Sequence, residues 1–324
     1  MINLIAILSG ITVNYFFGGI PFTPMLCVIA AILLILPPLL EIHYKDLLTI
    51  KKFPKILYLN LIINYLIFPL VGVGLSYLIF GKSSVLYAFL LLSLLSGGGL
   101  VMSWITKTGA NTKLGFNLFV LNLIIFTAIF FPIDFYLQRI GHEFMMNPSE
   151  FACDATELTK SFSCGSSAEG GVSPFSGLLV LVLFPFILSR ILNLFPKISN
   201  FIIRKKNILT QIGSFSVIFY IFALKQLHLV FSMDILYLSK IFALVILVYS
   251  IMFAINFFIF KKLGDSPESR SLFWIGITRF LTLGLIFSFL YAQYFSTSFM
   301  LVFAISYLVQ IGFSTIFAKL YFRK

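Results

Sequence analysis

"LLSLLSGGGLVMSW", Leu91–Trp104, sets Gly97, Gly98 and Gly99 side by side inside a run of large apolar residues. In a continuous helix each glycine costs about 1 kcal/mol relative to alanine, roughly 3 kcal/mol together. Two readings compete. Small residues let helices pack closely, but that use spaces them four apart. Consecutive glycines exceed what packing needs, so the stretch favours a discontinuous helix. Non-helical backbone at membrane depth is tolerated only where it is buried in protein or lines a cavity. The triplet therefore marks a candidate site as well as a break.

The surrounding chain supports the membrane setting. Of 324 residues, 60% are hydrophobic and 10% charged, and the mean hydropathy is +1.05. A soluble domain carries about 25% charged residues. Too little polar surface remains to cover a fold in water. Apolar runs recur at roughly the 18 or more residues that cross a bilayer. The class is an all-α polytopic membrane protein. The net charge of +12 does not point to nucleic acid, because the cations lie in short loops between apolar runs, as membrane orientation requires. The opening "MINLIAILSGITVNYFFGG" has no basic n-region and no small-residue cleavage site, so it reads as a first span and not as a signal peptide.

About ten apolar segments are expected, at 2–19, 22–41, 56–80, 84–107, 112–137, 175–195, 209–230, 236–260, 272–293 and 297–318. With a cytoplasmic N-terminus, alternate loops collect the cations: Lys45, Lys51, Lys52 and Lys55, then Lys107 and Lys113, then Lys197, Arg204, Lys205 and Lys206, then Lys261, Lys262 and Arg270. The positive-inside rule then puts both termini in the cytoplasm, in a plasma (inner) membrane protein. The acidic, serine- and glycine-rich connection over 139–174 falls outside. It separates a first five-helix half, 1–138, from a second, 175–324. Its Cys153 and Cys164 are either a disulfide, if that side is oxidising, or two free thiols. Five plus five spans is the format of an inverted repeat. A faint echo supports it: the fourth span follows "GKSS" and the ninth follows "GDSPES", and each has a glycine or polar break partway along.

Among the residues that carry chemistry, Arg279 in "ITRFLTLGL" stands about two turns into the ninth span. A cation there either faces a bundle interior or a cavity, or snorkels to the headgroups. Thr278, Thr282 and Gly284 beside it favour the first. Asn60 and Asn64 share one face of the third span, and Asn117 and Asn122 lie on the fifth; interhelical hydrogen bonding is their plain role. Pro69, Pro132 and Pro185 are expected to kink their helices. Asp134 is the one acid within a span core, near its outer end. Paired aspartates, an HExxH helix, a P-loop and a His/Cys metal cluster are missing from the sequence, which argues against an enzyme.

"ILPPLLEIHYKDLLTIKKFPKILYLNLIINYLIFPLVGVGLSYLIF" resembles the second and third spans of the arsenical-resistance permeases, a family grouped with the bile acid:sodium symporters. "INYLIFPL" is similar to their Asn-aromatic-x-x-x-Pro-Leu pattern. "LLSLLSGGGLVMSWITKTGAN" is similar to their fourth span, and "LVLFPFILSR", "FALKQL" and "FKKLGDSPESRSLFWIGITRFLTLGL" to their sixth, seventh and eighth-to-ninth segments. The resemblance implies ten spans in two inverted five-helix repeats, with helices 4 and 9 broken and crossing near the midplane. It also implies a substrate beside the crossover, moved by alternating access. This chain departs from the pattern. Gly97 stands where the arsenical permeases have a cysteine, and Thr282-Leu283 where the family has a glutamate. Of the fourth-span Ser-Asn pair of the symporters, only Ser103 has a counterpart.

The expectation is a secondary transporter of that superfamily, without cofactor and coupled to sodium or protons. The substrate is a small anion or oxyanion, arsenite-type or organic. Its site comprises Gly97, Gly98, Gly99, Ser103, Asn64, Asn122, Thr278, Arg279 and Thr282. The alternative is a non-transporting sensor or degenerate paralogue on the same fold.

Overall fold

The computed structural model describes residues 2–20, 29, 32–33, 36–37, 39–40, 52–146, 184–225, 234–291, 295 and 297–322. The regular structure in them is helical, joined by two isolated backbone pairings. Helix α1 is Ile2–Phe17. Helix α2, Pro54–Phe80, starts with a proline in its first turn, where the missing N–H is an orphan anyway. It widens into a π-turn at Ile63–Ile67. Pro69 follows at once, and a proline ring inside a helix would clash with the carbonyl four residues back. The wider turn makes room for the ring and presents Asn64 inward, the usual setting of such bulges at functional places.

Helices α3, Ser84–Leu94, and α4, Gly99–Lys107, are the two parts of the expected fourth span. Helix α5, Thr112–Met146, contains Pro132 and runs on into the stretch expected to be loop from residue 139. Helices α6, Phe184–Asn193, and α7, Pro196–Arg204, meet at a bend of 117°. Helix α8 is Lys206–Ala223. Helix α9, Ile235–Leu263, starts at an Asp234 cap and stops at Gly264, which takes a φ of 81°. Helix α10, Pro267–Ile277, opens with a capping box between Ser266 and Ser269. Helices α11, Leu281–Leu290, and α12, Thr297–Tyr321, complete the order.

Four helices of the described residues are long and apolar enough to cross a membrane, and up to five if the bent α6–α7 pair is one span. They match the expected third, fifth, eighth and tenth spans. The fourth and ninth do not qualify as single helices, because each is split by non-helical residues. The expected second span, the 147–174 part of the loop with Cys153 and Cys164, and the start of the sixth span lie largely or wholly outside the described residues.

Packing interleaves the two halves. Helix α9 lies against α2, α10 against α5, and α12 against α3, while α1 runs along α8. The shared core is aromatic: Phe89, Phe126, Phe130, Tyr249, Trp274 and Phe287 are fully buried, with Phe130 and Phe287 stacked at 4.6 Å. Large apolar side chains also face outward, Leu78 at 79% exposure and Phe135 at 72% among them. Apolar surface on that scale belongs against lipid.

Candidate functional site: a crossover of two broken helices

The α3–α4 break (95–98) and the α10–α11 break (278–280) run past each other antiparallel, with Ser96 opposite Arg279. Gly97 N–H donates to Thr278 O at 2.9 Å, and Phe280 N–H donates to Leu95 O at 2.7 Å. Backbone freed from a helix in a membrane must find partners inside the protein. Here each break satisfies the other.

Two of the three glycines are required by this geometry. Gly97 has a φ of 80° and Gly98 a φ of 149°. A Cβ at Gly98 would lie 3.0 Å from Phe280 Cα and 3.1 Å from Arg279 O, too close to backbone that is itself paired. Gly99 is already the first residue of α4. The ninth-span break is narrower than expected. Thr278 and Arg279 are in it, but Thr282 and Gly284 belong to α11. Arg279 is thus in extended backbone rather than on a helix face.

Buried amides brace the crossover from both halves. On α2, Asn64 Nδ2 donates to Asn60 Oδ1 at 2.9 Å. Asn60 Nδ2 donates to Asn122 Oδ1 on α5 at 2.7 Å, and Asn122 Nδ2 donates to Ser96 Oγ in the break at 2.8 Å. Tyr65 O–H fixes the Asn122 carbonyl at 2.6 Å. From the other side, Gln310 Oε1 on α12 accepts Arg279 N–H at 2.7 Å and Tyr249 O–H from α9 at 3.1 Å. Thr278 turns its hydroxyl back to Trp274 O at 2.6 Å. Ser103 is half-buried on α4, one turn beyond the break and outside this hydrogen-bonded group. Sequence reasoning missed Gln310, Tyr249 and Ser96; a lone amide in the apolar run "YLVQIGF" was the available signal for the first.

The Arg279 side chain is 2% exposed and does not snorkel. Its two terminal nitrogens donate to Gly276 O at 2.9 Å and Ser93 O at 3.4 Å. The guanidinium carbon lies 3.6 Å from the centre of the Phe68 ring. Arg279 Nε, Asn64 Oδ1 and Asn256 Oδ1 have no hydrogen-bond partner among the described residues.

Away from the crossover, α4 and α10 are tied together as well. Trp104 and Trp274 stack at 5.4 Å, and Trp274 Nε1 donates to Thr108 Oγ1 at 2.8 Å. Arg270 donates to Thr108 O at 2.7 Å and pairs with Asp265, whose hydrogen bonds hold the guanidinium above the ordinary arginine range. Elsewhere a cavity of about 400 Å³ opens between α1 and α8 on one wall and α9 and α12 on the other, lined by Ile11, Asn14, Phe242, Leu301, Ala304 and Leu308. Its lining is almost wholly apolar.

The asparagine trio, the π-turn and the α3–α4 break all lie in the first half of the chain, and that half is recognisable. Residues 28–164 match the sodium bile acid symporter family. The match supports the bile acid:sodium symporter superfamily over that stretch, and with the apolar helices it supports an integral membrane protein. Symporter family members are transporters and not enzymes, in keeping with the missing catalytic motifs. The match does not extend to the arsenical-permease resemblance or to the second half of the crossover. No curated protein matches the chain.

Proposed function

We propose that the chain is a secondary transporter for a small organic anion, with its substrate held beside the crossover and moved by alternating access. The observation that carries the reading is the backbone pairing of the two breaks, Ser96 against Arg279. Discontinuous helices of this kind bind substrates near the midplane of inverted-repeat transporters. The proposal includes ten spans, with 1–138 and 175–324 as inverted halves around an extracytoplasmic 139–174 connection that opens with the end of α5, and both termini in the cytoplasm of a plasma membrane protein. The bracing supports the repeat: Asn122 from the fifth span holds Ser96, and Gln310 from the tenth holds Arg279.

The half-helix N-termini at Gly99 and Leu281 meet at the crossover and favour negative charge. Among the described residues no carboxylate hydrogen-bonds to the crossover, so no acid opposes an anion there. Glycine at position 97, where a thiol would serve arsenic, favours an organic anion over arsenite. Gly97, Gly98, Gly99, Asn64, Asn122, Thr278, Arg279, Thr282 and Ser103 remain the proposed site. In proteoliposomes, gradient-driven uptake of one or more members of a panel of organic anions is expected, and arsenite uptake is not. Arg279→Gln abolishes uptake while the protein stays monodisperse. Uptake unchanged by that substitution removes Arg279 from the site. The sealed, acid-free crossover favours one second reading, a non-transporting paralogue, for which no anion moves under any gradient.

A further inference from the structure

We propose that the Arg279 guanidinium is a tethered cation that occupies the place of a coupling ion at the crossover, so that sodium does not bind there. The inference goes beyond the transporter reading and rests on where the guanidinium points.

Helix α3 ends at Leu94 and α10 at Ile277. The carbonyls in a helix's last turn have no intrahelical partner. Each C-terminus carries roughly half a negative charge. Two such ends meeting at a break present about one negative charge and a set of free oxygens. In transporters with broken helices, those oxygens are where sodium or a proton is coordinated.

Here the same oxygens face Arg279. Gly276 and Ser93, each next to the last residue of its half-helix, accept from the two terminal nitrogens. One half-helix belongs to each half of the chain, so a single guanidinium caps both. Its charge balances the two helix ends without a carboxylate. The Phe68 ring covers one face at 3.6 Å, a further attraction for a cation. A guanidinium is more weakly hydrated than an ammonium and is suited to such burial.

A separate sodium ion does not fit the arrangement. Sodium wants several oxygens and, in a buried place, a compensating negative charge. The described carboxylates are elsewhere. Asp134 accepts from Tyr291, Asp234 caps α9, Asp265 pairs with Arg270, and Glu268 accepts from Asn111. Among the described residues no group of three or more His, Cys, Asp or Glu could hold a metal ion. A sodium ion added between Ser93 O and Gly276 O would meet a like charge and two carbonyls already engaged.

The test compares purified wild type, Arg279→Ala and Arg279→Lys in detergent. Thermal unfolding is followed in sodium chloride and in the chloride of a bulky organic cation, alongside ²²Na⁺ binding to wild type. Wild type is expected to melt at the same temperature in both salts and to bind no saturable ²²Na⁺. Arg279→Lys keeps a cation and keeps that salt independence. Arg279→Ala melts lower in the bulky salt and recovers part of the loss in sodium, ammonium or guanidinium chloride. Saturable ²²Na⁺ binding by wild type would overturn the proposal, as would an Arg279→Ala variant that is as stable as wild type or that no small cation rescues. If Arg279→Ala does not fold, wild-type ²²Na⁺ binding and the Arg279→Lys salt comparison still decide. Sodium binding by wild type leaves the transporter reading standing, whereas absence of any anion flux sinks that reading and leaves these measurements untouched.

Discussion

Single alanine substitutions across Gly97, Gly98 and Gly99 separate a broken helix from a tightly packed one by sign. In a continuous helix each substitution stabilises by about 1 kcal/mol. At the crossover the three differ. Gly98 has φ 149° and ψ 172°, a region open essentially to glycine alone, and alanine there is strained by about 1–3 kcal/mol. Its Cβ meets backbone at 3.0 Å, which cannot rotate aside, and such overpacking adds about 1–3 kcal/mol. The sum centres near 4 kcal/mol, close to a thousandfold in the folding equilibrium at 1.4 kcal/mol per decade. Gly97 is milder. Its φ of 80° strains alanine by roughly 1–2 kcal/mol, but the nearest atom, 2.8 Å away, is on the Phe119 ring, which can shift. Gly99 is helical, and alanine there is neutral or stabilising by up to about 1 kcal/mol. The assay is chemical unfolding of the purified chain in mixed micelles, followed by tryptophan emission. The expected order of stability is Gly99→Ala, then Gly97→Ala, then Gly98→Ala. A Gly98→Ala protein as stable as wild type would refute the crossover geometry, and so would a Gly99→Ala protein as damaged as Gly98→Ala.

The bracing amides allow a double-mutant cycle. Asn60 and Asn122 exchange hydrogen bonds at 2.7 and 3.3 Å, so Asn60→Ala and Asn122→Ala should couple by about 1–2 kcal/mol, above the roughly 0.6 kcal/mol average for polar pairs between membrane helices; zero coupling would contradict the network. Beside the stacked indoles, Arg270→Gln should cost about 1–2 kcal/mol, since Asp265 is exposed and keeps the pair weak, while the hydrogen bond to Thr108 O is lost with it. Because Asp265 holds the Arg270 guanidinium above the ordinary arginine range, its contribution is complete below that range and is lost only as pH rises beyond it. The difference between wild type and Arg270→Gln should therefore stay flat from neutral to moderately alkaline pH, and a difference that shrinks there would show that the pair is not intact.

The membrane class was legible in composition, and the third, fifth, eighth and tenth spans were legible in apolar length, because continuous helices carry that signal directly. The fourth-span break was legible in the triplet, since consecutive glycines have few other uses. Its extent was not. Nothing local distinguishes Gly99, which begins a helix, from Gly98, which cannot be in one. The role of Arg279 was out of reach for a different reason. Depth along a span identifies a buried cation, but not whether it faces a substrate or the carbonyl ends of two helices, one of them 186 residues away in sequence. Gln310 was hidden in the same way, because its partner is a backbone N–H that is free only after the ninth span breaks. Such pairings exist only in the assembled fold.

The stacked indoles have a practical consequence. The chain contains two tryptophans, and both are in the Trp104–Trp274 pair. One belongs to α4 and the other to α10, one half-helix from each side of the crossover. Every photon of tryptophan emission from this protein therefore comes from the joint between those helices. Near-ultraviolet circular dichroism and emission lifetime, on unlabelled wild-type protein, report that joint opening or closing with no introduced probe. A solute that changes these signals at constant stability has shifted α4 against α10, whether or not its transport has been measured.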